Sequence, residues 1–62
     1  MVTVSVHYDN PDHDIVVSNV YQNSIKRDSY LFICACEKDD GSHMEVLFNL
    51  EYVVRIEISE EE

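Results

Sequence analysis

The chain has 62 residues, 45% of them apolar, and its 13 acidic against 4 basic residues give a formal net charge of −9 at pH 7. That apolar content supports a folded core, but the length allows only one small domain, read here as residues 1–59 with a frayed acidic tail at 60–62. Lys26, Arg27, Lys38 and Arg55 are too few and too scattered to neutralise a row of phosphates, which argues against direct binding to nucleic acid or to an anionic membrane and directs any charged partner toward a basic surface.

Val2 to Tyr8 alternates cleanly, with Val2, Val4, Val6 and Tyr8 on one side and Thr3, Ser5 and His7 on the other, as a half-buried strand requires. Asp9 to Asp14 carries polar turn formers and the only proline, and reads as a surface loop. Ile15 to Arg27 supports two readings. As a helix, with Pro11 at its first position, it would place Val17, Val20, Tyr21 and Ile25 on one face. Its β-branched residues, serines and asparagines, with no alanine or leucine, favour a strand in which a bulge near Ser18 and Asn19 returns Val20 to the core face. Gln22 to Ser29 then forms a polar connector.

Tyr30 to Glu37 is apolar in both phases of alternation: Tyr30, Phe32, Cys34 and Cys36 on one face, Leu31, Ile33 and Ala35 on the other. Such a strand needs cover on both sides, from a curled sheet or from a second subunit. Asp40-Gly41 between apolar strands is a strong hairpin signal. His43 to Asn49 resumes alternation with Met44, Val46 and Phe48 inward and Leu47 outward. Asn49 to Tyr52 interrupts pairing for one turn, and Val53 to Ile58 follows with Val54, Ile56 and Ile58 assigned inward and Val53, Arg55 and Glu57 outward.

The expected fold is therefore all-β: a small, five-stranded, antiparallel, strongly bent sheet or barrel. The alternative is α+β, with one helix at about residues 14–26 on a four-stranded sheet. The hairpin at Asp40-Gly41, and the single turn at Asn49 to Tyr52 ahead of Val53-Val54-Arg55-Ile56-Glu57-Ile58, give a layout that resembles SH3-like and Sm-like small barrels. An Sm-type protein would also bring an N-terminal helix, for which this chain has no segment. The compact acidic layout is also similar to small accessory proteins carried by phages and prophages. That resemblance implies a viral protein that binds and modulates a host protein, in part by presenting a nucleic-acid-like acidic surface.

Candidate sites are few. His7, Asp9, Asp12, His13 and Asp14 crowd together, yet a calcium loop needs glycine at its sixth position, where Asp14 stands, and a zinc site would need a further ligand such as His43; no metal site is assigned. Cys34 and Cys36 lie two apart on one strand, cannot bridge without strain, and lack a positive neighbour to activate them, so they read as packing. No nucleophile–base pairing and no glycine-rich phosphate loop is present, so neither enzymatic activity nor a cofactor is expected. Tyr8, Tyr21, Tyr30 and Tyr52, with the outward-assigned Leu47 and Val53, are the candidate partner surface. The expected function is that of a cytoplasmic, homo-oligomeric interaction protein that engages a basic-surfaced host protein. Alternatives are an oligomer holding a nucleotide-like ligand with Lys26 and Arg27, and a minor structural component of a particle.

Overall fold

In the computed structural model, which describes residues 1–61, the chain forms an all-β, strongly curled antiparallel sheet, a half-barrel of six strands. The strands are β1 (Val2–Tyr8), β2 (Ile15–Val20), β3 (Lys26–Arg27), β4 (Leu31–Glu37), β5 (His43–Asn49) and β6 (Val53–Glu60). β1 lies between β2 and β6, while β4 pairs with β5 along one edge and with β3 and the end of β2 along the other. No helix forms over residues 14–26. The segment is β2, a 3-10 turn at Gln22–Ser24, and the two-residue β3.

Period-2 alternation places the core on the concave side. Val2, Val4 and Val6 of β1, Val20 of β2, Phe32, Cys34 and Cys36 of β4 and Phe48 of β5 are buried. Phe32 and Phe48 face each other across the β4–β5 ladder with ring centroids 6.3 Å apart. The curl thus covers the inner face of β4. On the outer face Leu31, Ile33 and Ala35 are only half-buried, Ile33 being flanked in register by Lys26 and Leu47.

The bulge expected in β2 is present. Val4 pairs with Val17 but Val2 with Val20, and Asn19 absorbs the extra residue with φ at 58°, a left-handed conformation that asparagine tolerates. The hairpin after β4 closes as Lys38 N–H donates to Ser42 O at 2.8 Å and Gly41 N–H to Lys38 O at 2.9 Å, with Gly41 at φ 84°. This is a three-residue loop whose last position requires glycine. The break before β6 is a 3-10 turn at Leu50–Tyr52, capped by Asn49 Oδ1, which accepts from Glu51 N–H at 2.9 Å.

Several expectations need correction. β3 adds a short strand inside the segment read as a polar connector, because Lys26 and Arg27 fall opposite Ile33 and Phe32. Tyr30 lies outside β4 and is 78% exposed, since Asp28 Oδ1 accepts from the N–H groups of both Tyr30 and Leu31 and turns the chain there. In β6 the faces of Val53 and Val54 are exchanged. His7 pairs with Arg55 but Tyr8 with Val53, so Val54 is the extra residue and is exposed, while Val53 packs against the core; Ile58, also assigned inward, is 49% exposed on this outer strand. The tail is held as far as it is described: Glu60 belongs to β6, and Glu61 accepts from Thr3 Oγ1 at 2.8 Å and from Asn19 N–H at 2.7 Å. Glu62 lies outside the described residues.

Candidate docking groove

An apolar groove of about 760 Å³ lies between the start of β2 and the length of β5. Its walls include Ile15, Val17, Met44 and Val46, and Tyr8 and Tyr52 also line it. Each is positioned by a feature already described. Ile15 and Val17 belong to the part of β2 that pairs only with β1, because β4 meets β2 only at its last residue, Val20, opposite Cys36. Tyr52 ends the 3-10 turn and is 63% exposed, and Tyr8 ends β1 where the register slips against β6. Among its lining residues there is no lysine or arginine, and Glu51 contributes the charge.

The sequence-derived candidates divide accordingly. Tyr8, Leu47 and Tyr52 line the groove. Tyr21 does not: it is half-buried on another part of the sheet, edge-to-face against His43 at 5.2 Å, and burial followed by the charge of Glu37 raises its hydroxyl pKa. Tyr30 borders a separate depression with Leu31 and Leu50. Val53 is a core-packing residue and leaves the candidate surface. Lys26 and Arg27 come together beside a small cavity of about 240 Å³, where Asp28 offsets part of their charge. Missed at the sequence level were Ile15, Val16 and Met44, all exposed along the groove. Met44 had been assigned inward with Val46 and Phe48, but near the hairpin end of β5 it is 47% exposed.

The acidic loop after β1 is organised by hydrogen bonds. Asp14 accepts from Tyr8 N–H at 2.9 Å and meets His7 Nδ1 at 2.9 Å, and these two partners hold its carboxyl below the usual carboxylate range. His7 Nε2 lies 3.3 Å from Glu57, without hydrogen-bond geometry, and Glu57 is paired with Arg55 at 2.7 Å. Among the described residues no group of three or more histidine, cysteine, aspartate or glutamate side chains is arranged to hold a metal ion. Cys34 and Cys36 are free and buried, and burial pushes the Cys34 thiol upward in pKa, away from thiolate chemistry. Among the described residues no helix is long and apolar enough to cross a membrane.

Among the described residues four carboxylates have lowered pKa values from local partners: Asp14 from Tyr8 N–H and His7, Asp28 from the N–H groups of Tyr30 and Leu31, Asp40 from the Ser42 hydroxyl and N–H, and Glu61 from Asn19 N–H and the Thr3 hydroxyl. A depressed folded-state pKa contributes stability above the unfolded value, near 4, that is lost as pH falls through the folded value. Self-repulsion from the net charge of −9 acts in the opposite direction and fades as pH approaches the isoelectric point near 4.4. The thermal midpoint should therefore drop as pH falls below about 4. A midpoint that holds level from about pH 5 down to pH 2 would show that these hydrogen-bonded carboxylates add nothing to stability.

The chain matches no protein-family model, and neither the curated proteins nor the solved structures contain a significant match.

Proposed function

We propose that this protein is a non-enzymatic acidic binding module that docks a basic-surfaced partner protein through the groove between β2 and β5. The observation that carries this reading is an apolar groove with no basic lining residue in a chain of net charge −9. Exposed apolar area supplies contact energy, tyrosines at Tyr8 and Tyr52 add hydroxyl partners, and the acidic field steers a cationic partner inward. The modulation of a host protein, as in the phage-type accessory proteins that the sequence resembles, belongs to this proposal.

Selection from a random displayed-peptide library tests it. Binders should combine lysine or arginine with apolar residues, and their affinity should fall at least tenfold from low to high salt. Val16→Lys and Tyr52→Lys change residues that are 65% and 63% exposed, so they leave the fold intact and should each weaken those binders at least tenfold. Enrichment of acidic or uncharged peptides, or indifference to salt and to both variants, contradicts the reading.

A further inference from the structure

The groove is bordered by an open strand edge, and the hydrogen-bond phase of the sheet shows which backbone groups that edge offers. Lys38 N–H donates to Ser42 O at 2.8 Å and Leu50 N–H to Tyr30 O at 2.9 Å, one at each end of the β4–β5 ladder. Antiparallel pairing alternates between bonded and non-bonded pairs. In the observed register, Met44, Val46 and Phe48 therefore turn their N–H and C=O toward β4, while His43, Glu45, Leu47 and Asn49 turn theirs outward. Among the described residues β5 has no pairing on that side.

The two outer edges of the half-barrel differ in protection. β6 carries the Arg55–Glu57 ion pair and Glu60 along its length, charges of the kind that discourage another strand from adding. β5 has no lysine, arginine or proline, and Met44 and Leu47 on it are 47% and 55% exposed. Its only carboxylate, Glu45, lies on the convex face opposite Ala35.

We propose that β5 is a strand-addition site: an extended segment of the partner, alternating apolar and basic residues, pairs with the outward backbone groups of Glu45 and Leu47. The proposal rests on the groove being the docking site. Alternate apolar side chains of that segment enter the groove over Val46, and the basic side chain opposite Glu45 forms a cross-strand ion pair on the convex face. A second copy of this chain is the less suitable occupant, because it would bring another nine negative charges to the same edge.

The test is titration of the protein with an end-blocked peptide of alternating valine and lysine and with its two isomers N-methylated at alternate residues. The expected result is that one isomer loses binding at least tenfold while the other binds like the parent, because only one edge of the peptide bonds to β5. Leu47→Pro removes one outward N–H at an edge position that tolerates proline, and should bind at least tenfold more weakly than Leu47→Ala. Glu45→Lys should weaken the lysine peptide and favour a valine–glutamate one. Equal binding of both methylated isomers overturns strand addition while leaving the docking reading intact. Failure of the parent peptide at low salt overturns both, and a free protein that is dimeric with β5 covered assigns the edge to a second copy.

Discussion

Phe32→Ala should lower the thermal midpoint by at least about 12 °C. Phe32 is 2% exposed near the start of β4, a strand paired along both edges, and its ring meets Phe48 at a centroid distance of 6.3 Å. Truncating a buried phenylalanine costs about 3–5 kcal/mol through lost transfer energy and the cavity left behind. A chain of 62 residues has a total stability of roughly 3–9 kcal/mol, so the loss removes from about a third to all of it. Circular dichroism melting gives the answer, and a midpoint within a few degrees of the parent would mean that the core is not organised around this pair.

The second large effect separates packing from chemistry at Cys34. The residue is fully buried opposite Val46, and burial raises its pKa. Cys34→Val, which keeps an apolar side chain of similar size, should cost less than about 1.5 kcal/mol. Cys34→Ser buries a hydroxyl in a strand whose backbone groups are committed to its neighbours, at about 1–3 kcal/mol. The order Val over Ser, with native thiols silent to an alkylating reagent until the protein unfolds, is the expected outcome. A serine variant as stable as the valine one, or rapid native labelling, would return Cys34 to the list of chemically active residues.

Much of the fold was legible because local pattern and tertiary placement agree. The alternation of Val2, Val4 and Val6 has one solution, and two polar residues between Val17 and Val20 force a bulge if both valines are to reach the core. Asp40-Gly41 and Asn49 to Tyr52 are closed by short-range bonds that the residue types announce. The errors arose where a long-range bond sets the phase. Val53-Val54 offers two apolar residues in succession, and the register slip between His7 and Tyr8 selects the first. The Glu61 anchor depends on Asn19 and Thr3, remote in sequence, and composition alone describes it as a solvated tail. The groove was half legible. Tyr8, Leu47 and Tyr52 could be named as surface candidates, but their convergence follows from β2 meeting β4 only at Val20, and that depends on the curvature of the whole sheet.

The central physical claim is that the curl covers the concave side of β4 while leaving the far edge of β5 open. Amide hydrogen exchange in the dilute free protein reads this directly. The account predicts slow exchange at Met44, Val46 and Phe48, and fast exchange at Glu45 and Leu47, whose N–H groups face outward. Protection of Glu45 and Leu47 equal to that of Val46 would show the edge already covered, and would contradict the account.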